Sequence, residues 1–261
     1  MSETNTRKTA IVTGAGTGVG AASAKWLAAH GYNVLVNYAR SAEAAEKVAE
    51  ECRAHGDAFA MQGDVGNDAD CRNLADAAFK KWGRIDALVN SAGTTQFVPM
   101  HDLDALNAED FESVYRVNVI GPYQMSRAAA AHMNKTGGAI VNVSSLGSVQ
   151  GSGSSYAYAA SKGALNTLTL SLARNLAPKI RVNAVLPGMI QGRWLKEGIG
   201  DEGYERMLKQ WSENSALGEV CTPEQVADVI GWLITGADMM TGQFITVDGG
   251  MSLGKPPVVA K

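Results

Sequence analysis

Tyr158 and Lys162 stand four residues apart in "SGSSYAYAASKGAL", residues 152–165. On a helix that spacing puts both side chains on one face, a turn apart. A free phenol titrates at about 10, too high to exchange protons readily at neutral pH. A neighbouring ammonium favours the phenolate and lowers that value. The pair therefore reads as a proton-handling device, an acid toward a carbonyl oxygen and a base toward an alcohol. Tyr156 has Ala160 at the matching position and no cation. A second chemistry-bearing stretch is "TGAGTGVG", Thr13–Gly20. Glycines let backbone approach a phosphate, and a helix N-terminus offers free N–H groups to its charge. Gly14, Thr17, Gly18, Val19 and Gly20 are the candidate contacts there.

The choice between dinucleotides turns on the second strand. An NAD site usually places an acid about 20 residues past the glycines, on the ribose hydroxyls. That position falls in "VNYARSAE", where no carboxylate occurs before Glu43. Arg40 is there instead, with Asn37, Tyr38 and Ser41. A guanidinium with small polar donors suits an added 2′-phosphate, so the reading favours NADP(H), with NAD as the alternative. Asp64, in "QGDV", has a carboxylate suited to an adenine amine or to a helix entry.

The elements that must hold these groups follow from alternation. Seven short apolar strands begin at "KTAIVTGA" and end at "GQFITVDGG", with helices between them. The helices carry caps such as Asn67 and Thr222–Pro223, and glycine stops such as Gly31 and Gly56. A long helix is expected over about 108–133 and another over about 155–177. This pattern predicts an α/β chain, a Rossmann-type doubly wound, seven-stranded parallel sheet with helices on both faces, in one domain. The candidate groups then converge at the carboxyl ends of the strands, where such sheets bind ligands. The irregular insert 189–218 is expected to form a short helix pair acting as a substrate lid.

Composition bounds the function. The 261 residues carry a net charge of −3, which gives no basic footprint for nucleic acid or anionic membrane. No apolar run has the length of a signal or membrane-spanning segment. Cys52, Cys71 and Cys221 form no CxxC, and the four histidines are scattered. The expectation is a cytoplasmic protein with reduced thiols and no metal.

In order and spacing these motifs resemble the short-chain dehydrogenase/reductase family, single-domain type, nearly end to end. The matching stretches are Thr13–Gly20, Asp64–Val65, "NSAG" at Asn90–Gly93, the segment around Asn118, "VNVSS" at Val141–Ser145, Tyr158/Lys162, Pro187–Gly188 and the closing "VDGG". The resemblance implies a catalytic serine thirteen residues before the tyrosine, hence Ser145, and an asparagine at Asn118 holding a water for proton relay. It also implies that Lys162 holds the nicotinamide ribose. Further cofactor contacts are implied at Val65, Asn90, Ala92, Gly93, Tyr158, Lys162, Pro187, Gly188 and Ile190. A homotetramer is implied too. Ser91 replaces the usual second asparagine, and Gly192 replaces a threonine that often supports the carboxamide.

The substrate expected is a ketone or secondary alcohol, with a 3-oxoacyl thioester as one form; the resemblance extends to 3-oxoacyl-carrier-protein reductases. Candidate walls are Thr94–Phe97, Gly147–Gln150, Tyr156 and Trp194. The competing reading is a dinucleotide-sensing regulator that keeps the fold without the chemistry. An epimerase or dehydratase is a further rival, disfavoured because only about a dozen residues follow "VDGG".

Overall fold

Strand-forming runs of Val, Ile, Leu and Ala alternate along the chain with helices of matching apolar stripe. The computed structural model describes residues 7–134 and 137–254, apart from the side chain of Trp194. The strands are β1 (Lys8–Val12), β2 (Tyr32–Tyr38), β3 (Ala58–Gln62), β4 (Ala87–Asn90), β5 (Gly138–Val143), β6 (Ile180–Pro187) and β7 (Phe244–Val247). They form one parallel sheet in the order β3-β2-β1-β4-β5-β6-β7. The expected sheet is therefore present. The order reverses between β1 and β4, which opens a crevice at their carboxyl ends.

Side chains alternate across each strand, and both faces are buried. Ala10, Val12, Val34, Val36, Val89 and Val141 point to one core, shared with α1 (Gly18–Ala29), α2 (Ala42–Arg53) and α9 (Pro223–Thr235). Ile11, Leu35, Leu88 and Ile140 point to the other, shared with α3 (Asp68–Trp82), α5 (Gly121–Met133) and α7 (Tyr156–Leu176). Asn67 caps α3, accepting from the Ala69 N–H at 2.9 Å, and Gly83 ends it with φ 76°. Thr222 and Gln225 close a capping box on α9, with Pro223 at its first turn.

Two elements differ from expectation. The long helix over 108–133 is interrupted: α4 (Ala108–Tyr115) passes into α5 through a π-helical turn, Arg116–Ile120. There the Gly121 N–H bonds to the Arg116 carbonyl, five residues back. Pro122 has no N–H, so the regular ladder cannot continue past it, and one wide turn absorbs the gap. The second difference is a short helix, α6 (Gly147–Gln150), which stands between β5 and the helix expected from about 155. In the insert, α8 (Arg193–Asn214) is broken at Gly200, φ 74°. Around it Met189, Tyr204 and Val220 form a small separate core with Leu195, Ile199, Met207, Leu208 and Trp211.

Candidate active site

The glycine loop joins β1 to α1 beneath the crevice. Gly14 has φ 61°, and a Cβ on it would stand 2.7 Å from the Ala92 backbone. A Cβ on Gly20 would stand 2.4 Å from the Gly14 carbonyl oxygen, so a side chain is excluded at both points. The first turn of α1 carries no acidic residue, and the Thr17 side chain makes no capping bond. The helix N-terminus therefore faces the crevice with its N–H groups uncompensated, as an anion site requires. Thr13 closes the floor: its hydroxyl accepts the N–H groups of Ser91 (3.0 Å) and Ala92 (3.1 Å). That ties the ends of β1 and β4 together and accommodates Ser91 as a turn residue.

On the adenosine side Arg40 is exposed just past β2, with Ser41 beside it. Asn37 lies deeper than the other polar residues expected there. It is buried, its Nδ2 donates to the Gly63 carbonyl at 3.0 Å, and its Oδ1 accepts from the Gly14 N–H at 3.3 Å. These bonds commit its amide to the backbone, where it braces the β1, β2 and β3 ends and shapes the pocket from beneath. Tyr38 is half-buried at the strand end. The exposed Asp64 carboxylate accepts from the Gly66 N–H at 2.8 Å, and Val65 packs under the π-helical turn against Gly121.

The proton-handling residues meet where β4, β5 and α7 converge. Ser155 caps α7, accepting from the Tyr158 N–H at 3.1 Å. The Ser145 hydroxyl, held by the Gly147 N–H at 3.1 Å, acts on the Tyr158 phenol. Lys162 is buried, and its ammonium donates to the Val143 carbonyl at 2.8 Å. Its nitrogen lies 5.6 Å from the Tyr158 ring centroid. Asn118 sits in the π-helical turn, fully buried. It accepts the Thr94 N–H at 2.8 Å and donates to the Thr94 carbonyl at 2.9 Å and the Ser161 hydroxyl at 3.0 Å. Its side chain thus clamps the loop that follows Gly93. Gly93 itself has room: a Cβ there would be 3.6 Å from Asn118 Oδ1 and 3.8 Å from Lys162 Nζ. Asn90 points away from the crevice into a buried polar chain, donating to Asn142 Oδ1 (2.8 Å), whose amide donates to Thr169 Oγ1 (2.8 Å).

The electrostatics depart from expectation. The Tyr158 phenol is pushed up, not down. Burial is the dominant cause, and the influence opposing it is the Ser145 hydroxyl. The Lys162 ammonium is turned to a carbonyl and lies over the ring, so desolvation outweighs it. Burial likewise pulls Lys162 down to about 8.

At the far edge, Pro187 ends β6, its carbonyl accepting the Leu146 N–H at 2.8 Å. A Cβ on Gly188 would press on Asp248, 2.9 Å away, so only glycine lets this backbone lie so close to β7. Ile190 bridges to Cys221. Gly192, the departure from the threonine pattern, donates its N–H to the Tyr204 hydroxyl at 3.4 Å. Among the expected walls, Thr95 is bonded to the Ser154 hydroxyl at 2.7 Å and Val98 N–H to the Ser154 carbonyl at 3.0 Å. Phe97 lies against Gly198 of α8, so tightly that a Cβ there would fall 2.3 Å from the ring. Tyr156 is turned outward, its hydroxyl donating to the Met100 carbonyl at 2.6 Å. The Trp194 side chain lies outside the described residues. Sequence reading placed Ser148 only in a substrate wall and Thr13 only at the start of the glycine loop, and it missed Asn166. Asn166 carried a legible signal, since it continues the Tyr158/Lys162 face by one more turn.

A single parallel sheet, a glycine loop at its switch point and a Ser-Tyr-Lys constellation beside it define a nicotinamide-dependent oxidoreductase fold. The chain belongs to the short-chain dehydrogenase/reductase family. Residues 14–252 match the family described as enoyl-(acyl carrier protein) reductase. It is 40% identical, over 94% of its length and 96% of the relative's, to granaticin polyketide synthase ketoacyl reductase 2 of Streptomyces violaceoruber. It is 36% identical to the 3-oxoacyl-[acyl-carrier-protein] reductase of Staphylococcus aureus, over 94% of this chain and 98% of that one. A Burkholderia xenovorans structure described as a short-chain dehydrogenase/reductase superposes with a TM-score of 0.88 at 42% identity, covering 95% of this chain and 99% of that one. The protein is thus an oxidoreductase with a nicotinamide dinucleotide cofactor and a small-molecule substrate. Among the described residues, no helix is long and apolar enough to cross a membrane.

Proposed function

We propose that the protein is an NADPH-dependent reductase of a ketone or 3-oxoacyl group, with Tyr158 as general acid. The observation that carries this reading is Ser145 and Tyr158 brought together beside a buried Lys162, whose nitrogen lies 5.6 Å from the Tyr158 ring centroid. The glycine loop fits the cofactor's pyrophosphate, because the uncapped, acid-free first turn of α1 leaves N–H groups to receive it. When bound, the reduced nicotinamide supplies the hydride. The chain does the rest. Ser145 donates to the substrate oxygen and stabilises the charge that gathers there. Tyr158, kept neutral by burial, gives that oxygen its proton. Lys162 holds a positive charge behind the phenol and, as in the family, the ribose. Asn118 keeps the loop after Gly93 in place and serves the proton relay. The direct test is incubation with NADPH and a panel of ketones and 3-oxoacyl thioesters, following loss of reduced-nicotinamide absorbance. Turnover is the expected result. Cofactor binding without turnover of any substrate would support the dinucleotide-sensing alternative.

Arg40 supports the preference for NADPH. It is exposed at the end of β2 and makes no ion pair among the described residues, so its fork is available to a 2′-phosphate. Arg40→Ala is expected to weaken NADPH by roughly 10- to 100-fold, the worth of a charged hydrogen-bonded contact, while NADH is barely changed. Fluorescence titration with both cofactors checks this, and equal weakening of the two removes the preference.

The insert 189–218 is the substrate lid in this reading. Its support is the break at Gly200 and the Phe97 ring seated on Gly198. We also assign a homotetramer: Phe111, Ile120, Tyr123 and Leu170 expose apolar surface on α4, the π-helical turn, α5 and α7, and α4 packs on α7. Sedimentation at four times the chain mass is expected. Three unbridged cysteines support a cytoplasmic location.

A further inference from the structure

The face that carries Tyr158 and Lys162 does not end at the lysine. Asn166, four residues on, is buried at 7% exposure and reaches the same β5–α6 turn. Its Oδ1 accepts from the Ser144 hydroxyl at 2.7 Å, and its Nδ2 donates to the Ser148 hydroxyl at 2.8 Å. The Ser148 hydroxyl in turn donates to the Ser145 carbonyl at 2.5 Å. One amide therefore grips the residues on either side of Ser145.

The chain has a direction. A serine hydroxyl has one proton, and an amide presents an acceptor and a donor on different atoms. Ser144 gives its proton to Oδ1, the nearer of two acceptors (2.7 Å, against 3.3 Å to the Lys162 carbonyl), which fixes the orientation of the amide. The amide's donor then occupies a lone pair of Ser148, and Ser148's own proton is left for the Ser145 carbonyl. The Gly147 N–H donates to Ser145 Oγ at 3.1 Å, so backbone and side chain of Ser145 are both held. Asp would lack the donor arm and Leu both arms; asparagine supplies the two at this reach. A buried polar group of this kind costs desolvation that an apolar residue would avoid, and satisfied networks repay it in a unique geometry.

We propose that Asn166 is a positioning residue, which through Ser144 and Ser148 sets the Ser145 hydroxyl against Tyr158. This rests on the reductase reading above. Misplacement by a fraction of an ångström weakens both the contact to the substrate oxygen and the influence of Ser145 on the phenol.

The test uses Asn166→Leu, with Ser148→Ala and Ser148→Thr as a pair that removes and keeps the hydroxyl. In Asn166→Leu and Ser148→Ala, kcat is expected to fall about tenfold or more, with NADPH affinity within about twofold of wild type. Ser148→Thr is expected to turn over like wild type. A readout independent of turnover is the ultraviolet phenolate titration of the cofactor-free protein, taken as the difference from Tyr158→Phe. Losing the Ser145 contact moves that titration to higher pH in Asn166→Leu and Ser148→Ala. An unmoved titration with kcat within about twofold overturns the proposal, as does a Ser148→Thr variant no better than Ser148→Ala. If Asn166→Leu does not fold, the Ser148 pair, on a short and partly exposed helix, decides alone. A wild-type protein that reduces no carbonyl defeats the reductase reading, while the titration still decides whether Asn166 places Ser145.

Discussion

Tyr158→Phe lowers kcat by roughly 10³-fold or more, the upper part of the range for loss of a positioned general acid, while NADPH affinity stays within about twofold. The change removes one oxygen and keeps the ring against Lys162 and Gly153, so packing survives. What is lost is the phenol hydroxyl on which Ser145 acts. Tyr156→Phe is the internal control. Its hydroxyl faces outward to the Met100 carbonyl, 2.6 Å away, so turnover should hardly change. A pH signature accompanies the loss. Burial raises the Tyr158 phenol, so the neutral, donating form prevails at and well above neutral pH. Carbonyl reduction by the wild type is therefore expected to be flat across neutral pH, and alcohol oxidation, which needs the phenolate, to rise with pH. Steady-state rates in both directions check this. A Phe variant keeping more than about a tenth of the rate would put the proton donor elsewhere.

Lys162→Met is expected to lose turnover and cofactor affinity together, because in the proposed function the ammonium serves both the phenol and the ribose. It is also expected to stabilise the cofactor-free protein at neutral pH. Lys162 titrates at about 8 when folded, against the ordinary 10.5, because burial penalises its charge. Below pH 8 both folded and unfolded chains hold the proton, and the full burial cost is present. Between pH 8 and 10.5 the unfolded chain binds more protons than the folded one, so stability rises with pH and the cost fades. The shift corresponds to about 3 kcal/mol. Methionine also gives up the ammonium's bond to the Val143 carbonyl, worth about 2 kcal/mol. The variant should thus be more stable at pH 7 by about 1 kcal/mol, with the gap closing toward pH 10. Denaturant unfolding of both proteins at the two pH values measures it. A gap that widens with pH would contradict the assignment of the cost to the buried charge. The residue that makes the site work is then one the fold carries at a loss, a trade common at functional sites.

Much of this was legible in the chain before any coordinates. Strand and helix periods repeat every two or 3.6 residues, so "KTAIV" and "AIVNV" announce buried strands from a handful of neighbours. The glycine loop is local only in part: Gly20 answers to the Gly14 carbonyl within one turn of backbone, while Gly14 answers to Ala92 beyond β4. The Tyr158/Lys162 face is an i, i+4 relation inside one helix, which needs no tertiary knowledge. What the sequence could not decide was where these local faces would point and how dry they would be. Ser148 and Asn166 are eighteen residues apart, and only packing of α6 on α7 brings them into contact. The wide turn at Asn118 lies in a run that reads as one helix until the missing N–H of Pro122 is placed in its ladder. The direction of the Tyr158 shift needed the burial of the whole crevice, because desolvation is a sum over the surrounding layers and an ammonium's help depends on which way it turns. Periodicity and motif spacing act over a few residues and are written in the chain; burial and the aim of a side chain are properties of packed layers, and they exist only once the sheet and its helices have closed on each other.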